Sequence, residues 1–224
     1  KIYGTDVTIE TDKLDNKGDG INAPVLAARN NMNIAAKKIN NTEHGLIFSN
    51  NDLTITGKAD NGDNSNEKVE TINNNSATIE SLGNINILAK DINNTNEHFS
   101  YVLDPIESKW IVLYEGNGSG KTYAPGTPGV YTYDDESEHL HTPEGCYEEW
   151  HQYFFTKTKY ETKITSSDPA KILAGKNITL NIENLTNNKS SIIAGTDLNA
   201  NIVNLNNIDF IGKDVIRESG YVIW

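Results

Sequence analysis

Arginine is nearly missing from this chain of 224 residues: Arg29 and Arg217 are the only two, beside one cysteine, Cys146, and one methionine. Lysine does not make up the deficit, since 19 basic residues face 31 acidic ones and leave a formal net charge of −12. A surface this acidic repels phosphate backbones and anionic lipid unless a divalent cation intervenes, so no nucleic-acid partner is expected. A single cysteine excludes an internal disulfide framework and any multi-cysteine metal site, and leaves the compartment open. No run approaches the roughly 18 apolar residues of a membrane span, and Lys1-Ile2-Tyr3-Gly4 lacks the charged-then-apolar pattern of an export signal. No membrane insertion is expected. The chain opens and closes in strand-like sequence, with Tyr221-Val222-Ile223-Trp224 at its end, which reads as a piece of a longer protein whose export is specified upstream. This length is ample for a core without metal or disulfide staples.

Asparagine fills the space that charge leaves, with 31 residues. Many fall in a repeat of Asn or Asp, apolar, any residue, apolar: Asp6-Val7-Thr8-Ile9, Asn31-Met32-Asn33-Ile34, Asp52-Leu53-Thr54-Ile55, Asn84-Ile85-Asn86-Ile87, Asn177-Ile178-Thr179-Leu180 and Asp197-Leu198-Asn199-Ala200, with Asp214-Val215 as a candidate seventh. A second apolar position follows eight residues after the leading residue, at Leu14, Ile39, Ile92, Leu185 and Leu205; only the Asp52 copy breaks the offset. Starts lie 25, 21, 32, 93, 20 and 17 residues apart, so the unit is about 20 residues and longer gaps are insertions. Apolar-x-apolar alternation means short strands with one buried face, and a turn this small cannot bury that face alone. The copies must stack, which predicts an all-β fold: a right-handed parallel β-helix with three short strands per coil. Asparagine suits its corners, because it tolerates left-handed backbone and its amide can bond the equivalent residue one coil on. Asn40-Asn41, Asn93-Asn94 and Asn206-Asn207 are expected at equivalent corners.

Between residues 97 and 170 the repeat stops, and this stretch holds one asparagine but 13 of 18 aromatic residues, five of six prolines, four of five histidines and the cysteine. It reads as an aromatic-rich antiparallel β subdomain set between coils at 1–96 and 171–224. Five lysines face 13 acidic residues there. Trp110, Trp150 and Phe155 lie in apolar runs and are expected inside. Tyr123, Tyr131, Tyr133 and Tyr147 sit beside Gly, Pro or acid and are expected outside.

Three motifs invite chemistry and fail. Glu115-Gly116-Asn117-Gly118-Ser119-Gly120-Lys121-Thr122 is close to a phosphate-binding loop, but Glu115 stands where the first glycine belongs, and Pro125 and Pro128 follow where a helix must start. A hairpin turn is expected. His139, His141, Cys146 and His151 are zinc-ligand types in no finger spacing, and the acidic stretches at Asp60–Glu67 and Asp134–Glu149 lack an ordered calcium-loop spacing. No cofactor or metal is expected. A polysaccharide lyase needs cations to hold acidic sugars, and both arginines lie outside the aromatic stretch, so the chain is not read as an enzyme. Instead Tyr123, Tyr131, Tyr133, Asp134, Asp135, Glu136, His139, His141, Tyr147 and Glu148 form a candidate binding patch for a protein with basic loops or for a sugar surface.

Coils such as Ile193-Ala194-Gly195-Thr196-Asp197-Leu198-Asn199-Ala200 resemble the filamentous haemagglutinin repeats of two-partner secretion exoproteins. Asp91-Ile92-Asn93-Asn94-Thr95-Asn96-Glu97-His98-Phe99 and Ser167-Asp168-Pro169-Ala170-Lys171-Ile172-Leu173-Ala174-Gly175 resemble the central region of the CdiA effectors of contact-dependent growth inhibition. The resemblance covers about two thirds of the chain. It implies a secreted, surface-exposed filament whose midway region selects the target bacterium, with a toxin elsewhere. Receptors in that family are outer-membrane β-barrel proteins or lipopolysaccharide core, and the acidity here favours a barrel protein. A host-cell or glycan adhesin is the alternative, and a polysaccharide-processing enzyme a further one. The chain is expected to act as a monomer.

Overall fold

The computed structural model describes residues 1–19, 21–60, 62–134 and 138–224. These are all-β, with no helix among the described residues, and so none that could cross a membrane. Nine strands come first: β1 (Ile2–Gly4), β2 (Val7–Lys17), β3 (Val25–Ala28), β4 (Met32–Thr42), β5 (Leu46–Ser49), β6 (Leu53–Thr56), β7 (Val69–Asn75), β8 (Thr78–Ser81) and β9 (Ile85–Thr95). Then follow β10 (Ser100–Gly116), β11 (Thr122–Tyr123), β12 (Tyr131–Asp134), β13 (Glu138–Thr142), β14 (Gly145–Tyr147) and β15 (Trp150–Ser166). The last five are β16 (Lys171–Ala174), β17 (Ile178–Asn188), β18 (Ser191–Ala194), β19 (Leu198–Ile208) and β20 (Asp214–Ile223). They divide into two compact units: Lys1–Ser100 with Ile164–Ile211, and Tyr101–Lys163 with Gly212–Trp224.

The first unit holds two parallel sheets. One runs β1-β3-β5-β8-β16-β18; the other runs β19-β17-β9-β6-β4-β2, with β7 also pairing β4 and β9. Each copy of the repeat pairs in register with the next, Val7 opposite Met32, Met32 opposite Leu53, Leu53 opposite Ile85, Ile85 opposite Ile178 and Ile178 opposite Leu198. The 93-residue gap is thus bridged directly by β9 and β17. The irregular Asp52 copy is split, with residues 57–68 between β6 and β7, so that Ile72 takes the place of its second apolar residue opposite Ile39 and Ile92. In each 11-residue strand one residue leaves the ladder: Asp12, Lys37, Lys90, Glu183 and Val203 fall between paired neighbours. One unpaired residue inverts the two-residue side-chain period. Burial accordingly falls on Met32, Ile34 and Ala36 before Lys37, and on Ile39 and Asn41 after it. That shift is why the second apolar position stands at an even offset of eight and still faces the core, which is lined by isoleucines such as Ile34, Ile55, Ile72, Ile79 and Ile87.

Asparagine serves the stack differently from the corner role expected of it. The non-glycine residues with positive φ among those described are Glu43, His44, Ser76 and Lys189, none of them asparagine. The asparagines instead form ladders inside paired strands. Asn16 donates to Asn41 Oδ1 at 2.7 Å, Asn41 to Asn74, Asn74 to Asn94, Asn94 to Asn187 and Asn187 to Asn207, each of these at 2.8 Å. The second amide hydrogen of Asn41, Asn74 and Asn94 goes to the carbonyls of Thr78, Lys171 and Ser191. All three side chains are buried, and this pattern satisfies donor and acceptor alike, as a buried amide requires. A parallel outer ladder joins Asp15, Asn40, Asn73 and Asn93.

The second unit holds a four-stranded sheet, β11-β10-β15-β20, and a three-stranded one, β12-β13-β14. Within the first, Asp104 meets Lys163, Ser108 meets Thr158 and Glu115 meets Tyr153, an order that makes β10 and β15 antiparallel. The expectation that Asp214-Val215 opens another coil is corrected here. β20 pairs antiparallel with β15, from Gln152 opposite Ile223 to Glu161 opposite Asp214. Apolar alternation in Val215-Ile216 and Tyr221-Val222 suits either pairing; Gly220 suits this one, because a Cβ there would lie 1.9 Å from the Phe154 carbonyl oxygen. The near-match to a phosphate loop is a hairpin: β10 and β11 pair Tyr114 with Tyr123 and Glu115 with Thr122, and Gly118 and Gly120 carry the positive φ of the turn.

Candidate functional site

Strands β12 and β13 pair antiparallel, which sets Tyr131 opposite His141 and Tyr133 opposite His139. Residues two apart on a strand share a face, so all four rings stand on one side. Tyr131 stacks on His141 with centroids 4.6 Å apart and planes 10° apart, and Tyr133 stacks on His139 at 5.2 Å and 13°. Tyr131 and Tyr133 lie 6.1 Å apart, which closes the group into one four-ring surface. His141 Nδ1–H donates to the Gly129 carbonyl at 3.0 Å, fixing that ring's tautomer and tilt. Tyr131 is 52% exposed while the other three rings are half-buried, so the surface is a platform with one prominent ring. On the opposite face Leu140 and Thr142 of β13 are buried, as is Val130 just before β12, while Thr132 and Glu138 are exposed.

Tyr147 falls on that opposite face, because it pairs with Leu140 rather than with a histidine. Its ring lies against Gly116, where a Cβ would come within 2.3 Å of it, so it is half-buried packing and not part of the platform. Tyr123 is also half-buried and belongs to a third group. Its hydroxyl donates to Glu144 Oε2, Lys121 Nζ meets Glu144 Oε1 at 2.8 Å, and Thr142 Oγ1 donates to Oε2 at 3.2 Å. The hydrogen bond from Lys121, then that from Tyr123, lowers the Glu144 carboxyl from its ordinary 4.5 to about 2, and the same contact raises the Tyr123 hydroxyl. Asp134 closes β12 opposite Glu138, and Glu148 is exposed. Asp135 and Glu136 lie outside the described residues.

Those of the ten expected residues whose side chains are described fall into several groups. Four converge as the platform, Tyr123 joins a carboxylate network, Tyr147 packs behind, and Glu148 borders a separate cavity with Trp150 and His151. Of the zinc-type residues, His139, His141 and Cys146 share one face, with Cys146 exposed and opposite His141, while His151 is buried in β15. Among the described residues no three His, Cys, Asp or Glu side chains are grouped to hold a metal ion.

Several exposed rings were not anticipated. Trp110, expected inside, is 58% exposed; it lies 6.2 Å from Phe154, which stacks at 5.1 Å on Tyr221, making an aromatic row across β10, β15 and β20. Trp150 and Phe155 are half-buried. The apolar context of Trp110 in β10 signalled a strand correctly, but a single sheet has two faces, and alternation alone does not say which is covered. No family model, curated protein or solved structure matches the chain.

Proposed function

We propose that this chain is the receptor-binding region of a secreted filamentous cell-surface effector of the contact-dependent growth inhibition type. In this reading its stacked copies wind as a right-handed parallel β-helix, and its aromatic unit recognises an outer-membrane β-barrel protein on a target bacterium. The in-register parallel pairing of copy upon copy supports the filament. The observation that carries the recognition role is the four-ring platform of Tyr131, Tyr133, His139 and His141. Rigid tyrosine-rich surfaces supply contact area at low conformational cost, and an acidic setting complements basic receptor loops. The chain acts by binding, without a cofactor, and chemistry on the target belongs to a toxin elsewhere in the filament.

The deciding experiment measures binding of the labelled protein to intact Gram-negative cells that lack, one at a time, each major surface barrel protein or the outer lipopolysaccharide core. Loss with one barrel deletion is the expected result. Loss only with the core truncation would replace the barrel by a glycan, and absence of binding to any bacterium would overturn the reading in favour of a host adhesin or a passive spacer.

A further inference from the structure

Within the unit formed by Tyr101–Lys163 and Gly212–Trp224, the sheet of β10, β15 and β20 has two faces of different chemistry. One face holds ion pairs: Lys157 meets Glu218 at 3.0 Å, Lys159 meets Glu161 at 3.1 Å and Lys109 meets Glu107 at 2.6 Å. The other holds the row of Trp110, Phe154 and Tyr221. Strand register extends this second face along the sheet, because Phe154 stands opposite Tyr221, Thr158 opposite Arg217, and the Thr158 hydroxyl bonds that of Ser108 at 3.1 Å. Over residues 108–114, 152–160 and 215–223 its only charged side chain is Arg217. That guanidinium lies over the Tyr160 ring, 5.1 Å from its centroid.

An antiparallel sheet commonly packs one face and leaves the other in water. Ion pairs mark the wet face here, so the ring face is the one suited to cover. The chain itself leaves it open: Trp110 is 58% exposed, Tyr221 59% and Ile223 51%. We propose that this face is covered by the same face of a second copy of the chain, in a two-fold symmetric dimer.

Charge selects that occupant. Two copies at −12 each repel one another wherever their acidic surfaces meet, and this face contributes no negative charge to the contact. A basic loop, by the same count, finds no carboxylate on it. The face is also self-complementary, as an isologous contact requires: rings meet rings, and two sheets of this kind pack face to face about 10 Å apart. Tyrosine, tryptophan and arginine are the side chains that such contacts favour. With the symmetry axis along the ring row, the two Arg217 side chains fall on opposite sides of it, each four residues along β20 from Tyr221 and so about 13 Å away. From Gln152 to Tyr160 the face runs about 30 Å, and three strands span about 14 Å, so that pairing two faces removes on the order of 1,000 Å² of surface, the lower bound of a specific interface. A weak dimer follows. It departs from the monomer expected of the sequence and does not rest on the receptor reading.

The test is sedimentation velocity of the whole protein from about 1 μM to about 1 mM, the range over which weak interfaces dissociate. The expected result is a concentration-dependent shift from monomer to dimer that added salt does not dissolve, because the contact is apolar and the repulsion it opposes is screened. Trp110→Glu should weaken that dimer at least about tenfold. Ser219→Glu, which sets a carboxylate at an exposed position of the same face, should do likewise, and it alone decides should Trp110→Glu lose its fold by circular dichroism. Ile216→Glu, exposed on the ion-paired face, should leave the dimer unchanged. A monomer at every concentration in low and high salt would overturn the proposal and leave the face to a different partner. A dimer that survives Ser219→Glu, or that Ile216→Glu weakens equally, would place the contact elsewhere and overturn it too.

Discussion

The two units solve burial in opposite ways. In the Lys1–Ser100, Ile164–Ile211 unit the interior is a column of isoleucines flanked by a file of asparagines, and each buried amide hands its hydrogens to the next copy and to its backbone. The other unit has one asparagine, Asn117, and 14 of the 18 aromatic residues, yet among its described residues only Val130 and Leu140 are buried apolar side chains. Regular register in the first unit makes every copy interchangeable with its neighbour. Rings left half-exposed in the second make each position distinct. A structure that repeats is suited to extension, and one that does not repeat is suited to recognition.

Breaking the asparagine file should have the largest effect. Asn74→Ala removes a fully buried side chain and strips partners from Asn41 and Asn94, with a predicted loss of about 3 kcal/mol in urea unfolding. Its neighbour Asn73, on the outer ladder, should cost below about 1 kcal/mol on the same change. Equal losses would mean that burial does not distinguish the two files. In the aromatic unit, Gly116→Ala should destabilise by about 1–3 kcal/mol, because the new Cβ meets the rigid Tyr147 ring; restoring space with Gly116→Ala plus Tyr147→Ala should recover part of that loss in a double-mutant cycle.

A smaller effect on stability separates recognition from packing. Tyr131→Ala with His141→Ala should lower stability by less than about 1.5 kcal/mol, since the pair is at most half-buried. Smallest of all is the Glu144 network. Its folded carboxyl value of about 2 lies below the ordinary 4.5, so its contribution to stability is fully present above about pH 4.5 and is lost as pH falls through about 2. Carbon-detected NMR titration should place the Glu144 midpoint near 2 and move it upward in Lys121→Met and, by less, in Tyr123→Phe. A midpoint unmoved by both would contradict the assigned cause.

The repeat was legible because a two-residue period recurs at a nearly constant spacing, and because only in-register stacking buries it. Asparagine's partners one copy away were legible too, since Asn40-Asn41 and Asn93-Asn94 recur at the same offset. What composition could not reveal was geometry that depends on a face. Tyr131 and Tyr147 have similar neighbours in sequence, yet antiparallel register with His141 puts one on the platform, and pairing with Leu140 puts the other behind it. Trp110 lies in an apolar run but on an exposed side of β10. β20 alternates as a coil strand does, and its antiparallel partner lies some 60 residues upstream, beyond the reach of any local pattern. The cavity beside Trp224 joins residues 117, 138, 151 and 224, which share no motif.

The most direct test of the recognition role compares wild type, Tyr131→Ala/His141→Ala and Asn73→Ala for saturable binding to intact target bacteria at one temperature where all three are folded. The platform variant should lose at least about tenfold in affinity while the outer-ladder variant binds as wild type does. Undiminished binding by the platform variant would contradict the assignment of recognition to the four-ring surface.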